Sequence, residues 1–148
     1  MLAAVVTGAA QNPSLEELYK LYQAQAYDQV IEKAVPLLQA DENSLDLNLI
    51  LGRAYTDNGN YAEAIPHLER TRTNDRQNSW RKAWALGYLG TCYFLTGEPA
   101  KAKEVLGECY NLNVTKNATQ YAQRRIALFG FDDAYGFFTC YIIHGYDI

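Results

Sequence analysis

Leu51-Gly52-Arg53-Ala54-Tyr55-Thr56-Asp57-Asn58-Gly59-Asn60-Tyr61-Ala62-Glu63-Ala64-Ile65 is the stretch that decides how this chain folds. Gly59 stands where one helix ends, because glycine accepts the left-handed conformation there. Asn60-x-x-Glu63 has the spacing of a capping box that opens the next helix. The same landmarks return elsewhere. Leu51-Gly52-x-x-Tyr55 recurs 38 residues later as Leu89-Gly90-x-x-Tyr93, and Gly59 recurs as Gly97 at the same interval. Tyr27, Tyr61 and Pro99 are spaced by 34 and then 38 residues, each followed three positions on by Val30, Ala64 and Ala102. A period of this size is the signature of stacked helix pairs, none of which buries its apolar face alone.

The pattern predicts helices near 14–24, 27–40, 44–58, 61–73, 79–96, 99–112 and 117–129. Ser14-x-x-Glu17 and Asn117-x-x-Gln120 read as further capping boxes, and Pro99 suits a first helical position. Gly52 and Gly90 leave room for the second helix of each pair to approach, with Ala64 and Ala102 contributing small residues from the other side. Pro36 and Pro66 fall inside predicted helices, where proline costs about 3 kcal/mol in an ordinary interior, and they read as kinks. The four extra residues before the third unit read as an added turn, Trp80 to Ala83.

Residues 51–65 closely resemble the tetratricopeptide pattern L-G-x-x-Y-x-x-x-G-x-Y-x-x-A. The third unit keeps Leu89, Gly90, Tyr93, Gly97 and Ala102, with Pro99 where the pattern has an aromatic residue. The first is degenerate: Leu18 and Leu21 replace the Gly and Tyr, and Tyr27 is its best match. The resemblance implies an all-α solenoid of about three antiparallel helix pairs plus a C-terminal capping helix, over residues 14–129. It also implies a partner-binding groove lined by the first helix of each pair. Tyr19 and Tyr22 fall there in the first unit, Leu49, Arg53 and Asp57 in the second, and Trp84, Thr91 and Phe94 in the third. Some members of the family grip a C-terminal carboxylate with Lys and Asn in this groove. Here those positions hold Leu15, Tyr19, Ile50, Trp84 and Tyr88, so that clamp is not expected.

The bulk properties agree with an interaction module. The chain has 148 residues, 49% of them hydrophobic and 20% charged, which is a globular composition. Twelve tyrosines supply rings that bury on one side and hydrogen-bond on the other, a composition suited to contact surfaces. A net charge of -4 without a basic cluster argues against a nucleic-acid partner. Cys92, Cys109 and Cys140 lack metal or redox spacing and read as small buried hydrophobes, with one disulfide plus a free thiol as the alternative. His67 and His144 belong to no ligand pattern. Asn113-Val-Thr115 and Asn117-Ala-Thr119 fit the glycosylation sequon, which acts only in a eukaryotic secretory pathway.

No catalytic residue, metal or other cofactor is expected. The expected partner is a protein or peptide, with self-association through exposed aromatics or recruitment of substrate for a larger enzyme as the other readings. No run reaches the length of a transmembrane span. Residues 1–13 read as the end of a signal peptide or as a disordered N-terminus, which leaves exported and cytoplasmic locations both open. Residues 130–148 read as a tail whose Tyr135–Ile143 run has strand character.

Overall fold

The computed structural model describes residues 12–131. Within them seven helices follow one another: α1 (Leu15–Gln23), α2 (Tyr27–Ala40), α3 (Leu45–Asp57), α4 (Tyr61–Asn74), α5 (Trp80–Leu95), α6 (Pro99–Leu112) and α7 (Lys116–Leu128). Each predicted boundary lies within about two residues of these ends, as expected for frayed helix termini. Each helix packs on the next, and α1, α3, α5 and α7 also touch in series. Those four therefore form one face of the stack. The strand expected at Tyr135–Ile143 and the signal-peptide reading lie outside the described residues.

The joint inside each helix pair follows the repeat closely. A Cβ placed on Gly52 would come within 2.4 Å of the Leu68 side chain, and one on Gly90 within 2.3 Å of Leu106. A hydrogen is all that fits. Ala64 and Ala102 are fully buried beside these contacts, but the close approach itself is made by the leucines one turn further along α4 and α6. Gly59 and Gly97 end α3 and α5 with φ of 85° and 84°. Both amides cap the helix end, Gly59 N–H on Thr56 and Gly97 N–H on Phe94.

The helix starts depart from expectation in two places. Ser14 and Glu17 form the reciprocal capping box. Asn60 makes no side-chain cap bond at α4. At the last helix the cap is Thr115, whose hydroxyl accepts from the Ala118 amide, so α7 begins at Lys116 and Asn117 lies inside it. A β-hydroxyl three residues before an amide competed better than the later Asn. Pro36 and Pro66 do lie within α2 and α4, and both are exposed. Pro99 opens α6. The added turn of the third unit appears as length: α5 has 16 residues against 13 in α3. Asp75 fixes the preceding loop by accepting from the amides of Gln77, Ser79 and Lys82.

Two apolar clusters meet at α3. One gathers Leu18, Val30, Ala34, Leu38, Ile50, Leu51 and Ala54, and the other Leu49, Leu68, Leu86, Leu89, Val105, Leu106 and Ile126. Helices in the middle of a stack have neighbours on most sides, so they are apolar nearly all round. That is why Leu47 to Gly52 of α3 and Ala85 to Tyr93 of α5 are unbroken buried runs.

Candidate partner-binding groove

The face shared by α1, α3, α5 and α7 is centred on Arg53. Its guanidinium lies 4.6 Å from the ring centre of Tyr22, 5.1 Å from that of Trp84 and 5.3 Å from that of Tyr88. Two helices, α1 and α5, thus contribute rings to one cation carried by α3, each ring within cation–π range. Asp57, one turn along α3, accepts hydrogen bonds from the hydroxyls of Tyr22 and, at 3.4 Å, Tyr88. The two hydroxyls are 2.9 Å apart. Burial and the neighbouring Tyr88 oxygen push the Tyr22 hydroxyl well above its usual range; burial does the same for Tyr88. Both stay protonated and keep their donors. Burial works against the charge on Arg53, but the Tyr88 and Tyr22 oxygens more than offset it, so the arginine stays cationic.

Towards α7 the aromatic surface continues. Tyr121 stacks on Tyr88 at 5.2 Å, meets Trp84 edge-on at 5.7 Å, and its hydroxyl lies 2.9 Å from the Thr91 hydroxyl. Gly87 makes room for it: a Cβ there would touch the Tyr121 ring at 3.0 Å. Arg125, one turn along α7, lies 4.8 Å from the Tyr121 ring centre. On the α1 side Tyr19 sits in the fields of Asp46, Arg53 and Arg81, its hydroxyl raised first by burial. The Tyr19 hydroxyl and Arg53 Nε are both buried without a hydrogen-bond partner.

Of the eight residues expected in the groove, Tyr19, Tyr22, Arg53, Asp57 and Trp84 come together. Thr91 is buried beneath Tyr121 and reaches the face only through that hydroxyl contact. Phe94 lies at the far end, stacked on Phe129 at 3.8 Å and edge-on to Phe131 at 6.0 Å. Leu49 is a correction. It is fully buried in the cluster shared with α4 and α5 and offers a partner no surface, because α3 is packed on that side by the next unit. Tyr121 and Arg125 were missed. The signal was present: Tyr121 follows Tyr88 by 33 residues, within one of the 34-residue period, as for an α7 acting as the first helix of a fourth unit.

Away from this face the half-buried Arg72 is already partnered. Arg72 pairs with Glu108 at 2.7 Å and more loosely with Glu69 and Glu104. Cys92 and Cys109 are free and buried, with their thiols pushed up by burial to about 11 and about 12. Among the described residues no three His, Cys, Asp or Glu side chains gather as a metal-binding group, and no helix is long and apolar enough to cross a membrane.

Helix pairs stacked so that alternate helices share a ligand-accessible face define a helical repeat protein of the α-solenoid class. Residues 44–113, from the cap of α3 to the end of α6, match the tetratricopeptide repeat, and this stretch belongs to that family. The chain is 30% identical over 92 residues to lipopolysaccharide assembly protein B of Escherichia coli strain K12, and equally to that of the O157:H7 strain. The match takes in 60% of this chain but only 23% of the relative, so the chain spans about a quarter of the length of these curated relatives. In three dimensions it resembles the type III secretion translocator chaperone SycD of Yersinia enterocolitica, with a TM-score of 0.69 at 17% identity over 81% of this chain and 83% of that one. It also resembles PcrH, solved in complex with the chaperone binding region of PopD, with a TM-score of 0.66 at 20% identity over 82% and 92%.

Proposed function

We propose that the chain is a protein-interaction adaptor that holds an extended peptide, or a partner's helix, on the face of α1, α3, α5 and α7. One observation carries this reading: the Arg53 guanidinium of α3 is ringed by Tyr22 of α1 and by Trp84 and Tyr88 of α5. Aromatic and arginine side chains clustered in one partly buried patch are the residue types that dominate binding energy at protein interfaces. The likeness to chaperone folds supports the reading, since PcrH holds a segment of PopD. A second reading keeps the same groove but places it in a larger assembly. It is favoured by the likeness to a relative named for lipopolysaccharide assembly that is several times longer than the matched segment.

The test is retention of fluorescent chain on an array of immobilised 15-residue peptides of varied composition. Wild-type protein retains a subset, and Trp84→Ala loses that subset while its far-ultraviolet circular dichroism is unchanged. Retention that ignores Trp84→Ala would remove the groove from the account.

A further inference from the structure

The four half-buried arginines divide into two kinds. Arg72 and Arg81 each meet a carboxylate at 2.7 Å, Glu108 and Asp46. Arg53 and Arg125 form no ion pair among the described residues and lie instead on tyrosine and tryptophan rings. The unpaired two both lie on the groove face, in a chain whose net charge is -4. The carboxylates within reach are committed: Asp46 to Arg81, and Asp57 to the hydroxyls of Tyr22 and Tyr88. Arg53 Nε is buried with no acceptor, and so is the Tyr19 hydroxyl beside it. A buried donor left without a partner costs about 1–3 kcal/mol.

Resting on the adaptor reading, we propose that the partner is an acidic peptide that places two carboxylates on Arg53 and Arg125, with apolar side chains between them against Trp84 and Tyr121. Charge complementarity selects this occupant, because a carboxylate forms two parallel bonds with a guanidinium fork that a ring cannot supply. The rings link the two arginines in three steps, 5.3 Å from Arg53 to Tyr88, 5.2 Å to Tyr121 and 4.8 Å to Arg125. An extended peptide rises about 3.3 Å per residue, so its two acids stand at most about four positions apart. Asp57 sets the register by repelling an acid placed one turn too far along α3.

The experiment uses the 148-residue chain with Trp80→Phe, in which Trp84 is the one remaining tryptophan. Three acetylated decapeptides are titrated at low salt: one with two glutamates four positions apart enclosing leucine and phenylalanine, one with glutamine at both places, and one with lysine. The acidic peptide should shift Trp84 emission with at least tenfold tighter affinity than the neutral one, and the advantage should shrink as salt is raised. Arg53→Gln and Arg125→Gln should each lose most of that advantage at unchanged helix content, while Arg53→Lys keeps part of it. Equal binding of neutral and acidic peptides would overturn the acidic specificity and leave the groove standing. Preference for the lysine peptide would overturn it likewise, and failure of all three would remove the groove reading as well. Displacement of the acidic probe by a free peptide of residues 132–148, or Trp84 emission that changes with protein concentration alone, would give the groove to this chain itself and overturn the partner proposal.

Discussion

Helix α3 has two faces that were unequally legible. The face turned to α4 carries Gly52 against Leu68, and the equivalent face of α5 carries Gly90 against Leu106, with closest approaches of 2.4 and 2.3 Å for an added Cβ. The face turned to the groove carries Arg53, and its counterpart on α5 carries Trp84, Tyr88 and Thr91, which share no chemistry with it. The joint repeats because every unit must solve the same packing problem, close approach of two helices. On the proposed reading the groove does not repeat because each position meets a different part of its partner. Repetition is therefore evidence of packing, and departure from it marks the surface that recognises something.

The two faces separate by substitution. Gly90→Leu has the largest expected effect on stability, about 1–3 kcal/mol from overpacking against Leu106. Chemical denaturation should show a lowered midpoint, with peptide affinity per folded molecule unchanged. An unaltered midpoint would mean that the α5–α6 joint is looser than the Leu106 contact implies. Trp84→Ala should do the reverse, weakening peptide binding by about 2 kcal/mol while leaving helix content intact. Loss of both together would show that the groove rings are core rather than contact surface.

Two smaller effects sharpen the comparison. Thr115→Ala removes the hydroxyl that caps α7 and should cost about 1 kcal/mol, whereas Asn60→Ala at the uncapped start of α4 should cost much less. Thermal melts of the pair read this directly. The smallest effect belongs to His67, on the joint side, which stacks on Tyr55 at 5.6 Å and donates from Nδ1 to Asn48 Oδ1 at 3.2 Å. Burial, then the nearby Arg70 charge, lowers its pKa below the ordinary 6.5. The unfolded chain therefore takes up the proton first. Stability from this site is full above pH 6.5 and is lost as the pH falls through the folded-state value. His67→Gln should flatten that part of the profile of melting temperature against pH, and an identical slope in both proteins would place the ring outside the joint.

How much was readable follows from the same division. The seven helices and the Gly52 and Gly90 joints came from spacing, since glycine, alanine and tyrosine recur wherever backbone geometry demands them. Tyr19, Tyr22, Arg53, Asp57 and Trp84 came from phase alone, once the second unit set the register. Leu49 was misplaced because phase gives an outward direction for a lone helix pair, while α3 has another unit packed on that side. Tyr121 and Arg125 are not legible from the repeat because the last helix has no Leu-Gly pair at the position of Leu51-Gly52 and Leu89-Gly90, so its sequence reads as a cap alone. The caps at Asn60 and Asn117 failed for a local reason. A capping-box spacing states which bonds are possible, and the loop conformation decides which form.

The central claim is that the face of Arg53 and Trp84, and not the outer face of the second helices, receives the partner. A photo-cross-linking amino acid placed at Trp84, or separately at the exposed Ala100 of α6, tests it most directly. With a captured acidic peptide present, irradiation should join peptide to chain at position 84 and leave position 100 unmodified. Cross-linking at position 100 with none at position 84 would contradict the account.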